Sequence, residues 1–272
     1  MTASEARPTA LVIGPMKAGT TWIHDYLAWR GDVCLPAGVK ETLFFDRYFD
    51  RGIDWYAAHF RHHDAAMHRA VIEVAPSLFH SAEAPARVAR TLGPVALIMA
   101  MRDPVARSWS HYLHLRRRGY TRAPLAEAIA QHPEIIDASR YEVHLARWRA
   151  ALPGARVAVL PIEDLMADPA AYAAKVSAAL GLERRDPPAT LGDSNAGGVP
   201  PSFLVARLGR QTATALRSLG GYGLVNVAKR LGLKRVFFGA DGGTKIRMDA
   251  AERSLIETSL QDGGRPLQAE GR

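Results

Sequence analysis

Ala10-Leu11-Val12-Ile13-Gly14-Pro15-Met16-Lys17-Ala18-Gly19-Thr20-Thr21 is the stretch that decides the fold. Residues 10–13 read as a short buried strand, and Gly14-Pro15 stops it. Beyond Thr21, the residues Trp22, Ile23, Tyr26, Leu27 and Trp29 recur at helical spacing. Strand, glycine turn and helix form the unit with which an α/β protein receives an anion. The turn amides and the helix N-terminus direct partial positive charge at one point.

The loop shares the Gly14 to Gly19 spacing of a nucleoside-triphosphate loop but lacks its Gly-Lys-Thr ending. Thr20 stands where that lysine belongs, and the lysine is Lys17, inside the loop. The hydroxyls of Thr20 and Thr21 can still meet phosphate oxygens. No apolar strand ends in an Asp placed to hold magnesium. The pattern points to a phosphate-bearing ligand and away from ATP or GTP hydrolysis. The plain alternative is a βα turn whose glycines serve only the bend.

Working outward, apolar runs predict further strands at 70–74, 95–101 and 155–160. Helical spacing predicts helices at 83–92, from 105 onward, and at 125–130, 140–152 and 170–180. Strand and helix alternate, which implies an α/β sandwich with a central parallel sheet. The run at 95–101 leads directly into Arg102-Asp103-Pro104, at the strand end where such sheets bind ligands. Arg107 and Ser110 follow three residues apart on one helical face. Lys40-Glu41-Thr42-Leu43-Phe44-Phe45-Asp46 sets two charges directly before two aromatics. Phe44 and Phe45 are expected to anchor this segment and aim Glu41 as a general base. A solvated Lys-Glu pair beside core aromatics is the other reading.

The 272 residues suffice for a sizeable core, and 48% hydrophobic content is ordinary for a globular protein. The expected organisation is one domain over 1–272. It comprises an α/β core at 10–182, a basic helical lid or acceptor-binding segment at 183–248, and a terminal helix at 249–262 capped by Asp249. The formal charge of +8 suits anionic ligands or surfaces. No zinc-finger spacing or aromatic RNA-binding signature accompanies it, so no nucleic-acid partner is expected. The basic helices expected at 203–219 and 224–231 also suit a peripheral membrane contact. No apolar run has transmembrane length, and the N-terminus lacks a secretory signal's apolar centre, so a cytoplasmic location is expected. Cys34 is the single cysteine, which excludes an intrachain disulfide. His62, His63 and His68 lack metal-ligand spacing and read as surface residues.

With these segments in view, the chain resembles the sulfotransferases that use 3′-phosphoadenosine 5′-phosphosulfate (PAPS). It is most similar to the branch of the heparan sulfate N- and O-sulfotransferases and their bacterial relatives. Gly14-Pro15-Met16-Lys17-Ala18-Gly19-Thr20-Thr21 resembles the 5′-phosphosulfate loop. Lys40 to Asp46 with Gly52-Ile53-Asp54-Trp55-Tyr56 resembles the catalytic-glutamate segment. Arg102-Asp103-Pro104-Val105-Ala106-Arg107-Ser108-Trp109-Ser110-His111-Tyr112 resembles the 3′-phosphate motif. The ordered trio carries the resemblance, which covers residues 10–182.

The resemblance implies a P-loop-like three-layer sandwich with a mostly helical C-terminal lid. It implies PAPS as donor, 3′-phosphoadenosine 5′-phosphate (PAP) as product, and no metal requirement. Lys17 then serves the bridging oxygen, Gly19, Thr20 and Thr21 cradle the 5′-phosphate, Arg102 and Ser110 hold the 3′-phosphate, and Glu41 is the base. Phe44, Phe45 and Trp55 are the expected acceptor contacts. The acceptor is expected to be a small molecule, lipid or glycoside of secondary metabolism. Val74 stands where the heparan-type enzymes often carry a lysine, which argues against a polyanionic glycan. That branch's C-terminal cofactor loop has no clear counterpart, at 198–210 or at 239–245. His24, His59 and His80 sit in no motif of a histidine base. A small-metabolite kinase and a non-catalytic nucleotide-binding or membrane-surface protein are the alternatives.

Overall fold

A computed structural model describes residues 6–191 and 246–261. The expected helices at 203–219 and 224–231, most of the lid, and both candidate C-terminal cofactor loops lie outside the described residues. The chain divides into two compact units. The first runs up to Asp103 and resumes at Tyr141; the second takes Pro104–Arg140 and the C-terminal part. The single domain expected over 1–272 spans both.

The first unit is built on β1 (Ala10–Gly14), β2 (Val33–Cys34), β3 (Ala70–Val74), β4 (Ala96–Met101) and β5 (Val157–Pro161). They form one five-stranded parallel sheet in the order β2-β3-β1-β4-β5. Ala10 is opposite Ile72 on one side and Ala96 on the other. Successive side chains alternate between the two faces. Leu11, Ile13, Leu97 and Met99 therefore join a core with Phe44, Tyr56, Val88 and Trp148. Val12, Ile72, Val74, Ile98 and Ala100 join another with Trp22, Tyr26, Tyr172 and Val176. Helices α1 (Thr20–Arg30) and α9 (Pro169–Ala179) contribute to the second core. Helices α3 (Ala84–Leu92) and α7 (Tyr141–Ala151) contribute to the first. Leu11, Val12 and Ile13 are wholly buried, each worth about 2 kcal/mol.

The same alternation explains why β1 reads as a continuous apolar run rather than as alternating residues. After β1 the chain fills one side of it with β2 and β3, then crosses to the other for β4 and β5. This reversal is the topological switch at which open α/β sheets bind ligands beyond the strand C-termini. Pro15, Ala75 and Arg102 follow the ends of β1, β3 and β4 at that edge.

Within the second unit, α4 (Pro104–Arg117), α5 (Leu125–Gln131), α6 (Glu134–Asp137) and α10 (Ala250–Gln261) share a core of Val105, Trp109, Tyr112, Ile135 and Ile256. Asp249 caps α10 reciprocally: its Oδ1 accepts from Glu252 N–H at 2.7 Å, while its own N–H donates to Glu252 Oε2 at 2.9 Å. Short elements go beyond the sequence reading: Val33–Cys34 is a paired strand, and Glu134–Asp137 and Ile162–Ala167 form helices α6 and α8.

Candidate active site

The loop after β1 is shaped by backbone. Gly14 has φ 98, Lys17 has φ 74 and Gly19 has φ 91, all in the left-handed region. A Cβ on Gly14 would lie 2.6 Å from the Pro76 backbone, so this position admits no side chain without movement. Gly19 opens α1 with no side-chain cap, and the first turn holds no acidic residue. Helical geometry leaves the first amides of such a turn without intrahelical partners, and the dipole adds positive charge. Arg102, at the end of β4, donates from Nη1 to the Lys17 carbonyl at 3.3 Å. Tyr141 in turn donates to the Arg102 carbonyl at 2.8 Å. The structure therefore brings Arg102 against the loop, as expected for a strand end beside β1.

The segment at 40–46 is shaped by side chains. Phe44 and Phe45 are 1% and 0% exposed. The Phe44 ring stacks on Tyr56 at 4.7 Å and meets Phe45 edge-on at 4.9 Å. Both rings anchor the segment and are closed to a ligand, which corrects the acceptor role expected for them. Trp55 is half-buried, against Phe44, Tyr48 and His59. Leu43 adopts φ 57, and its carbonyl accepts from the N–H groups of Arg47 and Tyr48 at 3.0 Å each. Among the described residues, left-handed non-glycine backbone occurs at Lys17 and Leu43, one in each candidate segment. Such positions cost about 1–3 kcal/mol each and cluster at functional sites.

Two contacts fix the segment further. Lys40 Nζ donates to Thr21 Oγ1 at 2.9 Å, joining it to the first turn of α1. Glu73 of β3, fully buried, receives Thr42 N–H and Thr42 Oγ1 at 2.7 Å each and the Tyr56 hydroxyl at 2.8 Å. Glu41 lies partly buried between these anchors. Burial, then the charges of Glu73 and Asp46, push its carboxyl up to about 7, against the lowering effect of Lys40 and Arg47. Burial lowers the Lys40 ammonium, while Glu41 and Asp25 work the other way. A carboxyl balanced near neutrality beside an ammonium can take a proton from a substrate at physiological pH.

Sequence reasoning overlooked Glu73 and Tyr56 as supports. A signal existed, since a carboxylate inside the apolar run Ala70–Val74 must find buried donors. Ser110 sits part-exposed on α4 in the second unit. Arg107, three residues earlier, is buried and donates to Ser139 Oγ and the Ile135 carbonyl, so it serves the fold. Among the described residues, no group of three or more His, Cys, Asp and Glu could hold a metal ion. No described helix is long and apolar enough to cross a membrane.

Residues 62–186 match the family model described as "Sulfotransferase family". That match includes Glu73, Arg102 and Ser110 and begins after Lys17 and Glu41. The human bifunctional heparan sulfate N-deacetylase/N-sulfotransferase 2 is 28% identical over 194 residues, covering 64% of this chain and 22% of that protein. Human heparan sulfate glucosamine 3-O-sulfotransferase 3B1 is 33% identical over 193 residues, covering 66% of this chain and 48% of that protein. The chain thus spans from about a fifth to about half the length of these relatives. A sulfotransferase crystal structure from Alicyclobacillus acidocaldarius superposes with a TM-score of 0.59 at 21% identity, over 79% of this chain and 96% of that one; it shows a shared fold. By sequence, the chain is similar to the sulfotransferase family model and to heparan sulfate sulfotransferases, at identities that assign it to no one branch.

Proposed function

We propose that this chain transfers a sulfuryl group from PAPS to a hydroxyl, with an amine as the second reading, of a small molecule, lipid or glycoside. The observation that carries the reading is the Lys40–Thr21 bond of 2.9 Å, which joins the segment bearing a near-neutral carboxyl, Glu41, to an uncapped helix start and its glycine loop. The loop fits a phosphate group: its left-handed turns and the side-chain-free Gly14 leave backbone amides to do the binding.

When bound, PAPS supplies an activated sulfuryl group. Met16, Lys17, Ala18, Gly19, Thr20 and Thr21 receive its 5′-phosphate end through amides and hydroxyls, and Gly14 and Pro15, which has no N–H to give, shape the turn against it. The Lys17 ammonium neutralises charge gathering on the bridging oxygen. Arg102 supplies positive charge for the 3′-phosphate. Glu41 takes the acceptor's proton as the acceptor oxygen bonds to sulfur and the bridging S–O bond breaks in line. No metal enters this scheme. Val74 is wholly buried in the sheet core, so its place in the chain adds no cation for a polyanionic acceptor. A neutral acceptor, in a cytoplasmic pathway of secondary metabolism, fits best. Trp55 remains the aromatic contact offered to it.

The test is PAP formation from PAPS across a panel of neutral hydroxyl and amine acceptors, without added metal. Acceptor-dependent PAP release supports the proposal. Phosphoryl transfer from ATP with magnesium, and none from PAPS, would make the chain a kinase.

A further inference from the structure

Glu73 is the one charged residue in the run Ala70–Val74, whose five positions are all buried. Burying a carboxylate inside a sheet is costly unless donors meet its oxygens. Here the donors come from outside the sheet. Thr42 N–H and Thr42 Oγ1 both reach Oε1 at 2.7 Å, and the Tyr56 hydroxyl reaches Oε2 at 2.8 Å. Thr42 directly follows Glu41. Tyr56 is itself wholly buried, with its ring stacked on Phe44. One carboxylate therefore grips both ends of the aromatic unit on which Glu41 is mounted.

We infer that Glu73 is the positioning residue of Glu41: by holding Thr42 and Tyr56 it fixes where the base stands. This rests on reading Glu41 as the base. The groups acting on Glu41 are Lys40, Glu73, Asp46 and Arg47; at Glu73 burial raises the carboxyl, the Thr42 and Tyr56 donors work against it, and Asp46 adds to it. Of these, Glu73 and Asp46 raise the Glu41 carboxyl, while Lys40 and Arg47 lower it. Removing the Glu73 charge must therefore make Glu41 a weaker base, which a purely structural role for Glu73 would not do.

The experiment compares Glu73→Gln, Thr42→Val and Thr42→Ser with the unaltered chain. Glu41 is titrated by carbon-13 NMR, its resonance assigned with Glu41→Gln, and PAPS turnover is measured in parallel. In Glu73→Gln the Glu41 midpoint should fall by about one pH unit. Turnover should fall about tenfold or more, with the KM for PAPS within about twofold. Thr42→Val should lose about fivefold in turnover, and Thr42→Ser, which keeps the hydroxyl, should restore it. If Glu73→Gln fails to fold, the Thr42 pair decides. An unmoved midpoint in Glu73→Gln, or a Thr42→Val indistinguishable from Thr42→Ser, overturns the inference while leaving the base reading intact. Full turnover by Glu41→Gln overturns the base reading and the positioning role with it.

Discussion

The two candidate segments of the first unit are built by opposite means. The loop at Gly14–Thr21 is a backbone device: left-handed turns at Gly14, Lys17 and Gly19, then a helix start with no side-chain cap. The segment at Lys40–Asp46 is a side-chain device: Glu73 below, Phe44 and Phe45 in the core, Lys40 reaching across to Thr21. A backbone device receives a fixed anion and gains from rigidity. A side-chain device can tune one carboxyl toward neutral pH, which needs burial and neighbouring charge. The division suits a donor bound by its phosphates and an acceptor deprotonated by a base.

The largest effect should come from the side-chain device. Glu41→Gln should lower turnover about a thousandfold and leave PAP affinity within about twofold. In the unaltered chain, kcat/KM should fall as pH drops through about 7, because a protonated Glu41 cannot accept a proton. Pre-steady-state and pH-profile kinetics check both. Loss of PAP binding in Glu41→Gln would break the division of labour between the two segments.

How much of this was legible in the sequence follows the same division. The loop could be read because its parts are neighbours in the chain: an apolar strand, two glycines five apart and a helical pattern. Strands β1 and β4 were legible for the same reason, since burial on both faces leaves unbroken apolar runs, and β3 was legible from the apolar residues around its one carboxylate, Glu73. The supports of Glu41 were not, because Glu73 lies 31 residues from Thr42 and Tyr56 lies 17 from Glu73. Only folding joins them. Phe44 and Phe45 show the limit from the other side. Their spacing marks them as apolar, yet whether a ring faces a pocket or the core depends on Phe49, Trp55 and Tyr56, brought in by the turn at Phe49–Arg51 and helix α2 (Ile53–Ala57). Helix α8 was missed because six residues give too short a period.

The backbone device should respond in stability as much as in binding. Gly14→Ala places a methyl group 2.6 Å from the Pro76 backbone at φ 98. A loss of about 3 kcal/mol in urea unfolding is expected, with PAP affinity down about tenfold. An unchanged unfolding midpoint would show that the loop tolerates a side chain and is not the rigid cradle described. The smallest effect belongs to the link between the devices. Lys40→Met removes the bond to Thr21, and turnover should fall about fivefold with unfolding stability within about 1 kcal/mol. No change in turnover would mean that the two segments work independently.

The central claim is that the Gly14–Thr21 loop and Arg102 receive a nucleotide bearing phosphates at both the 3′ and 5′ positions. Calorimetric titration with PAP, without metal and beside ATP with magnesium, tests it most directly. Binding to PAP at about micromolar affinity, weakened about tenfold or more by Arg102→Ala, is the predicted result. No heat with PAP, or tighter binding of ATP with magnesium, would contradict it.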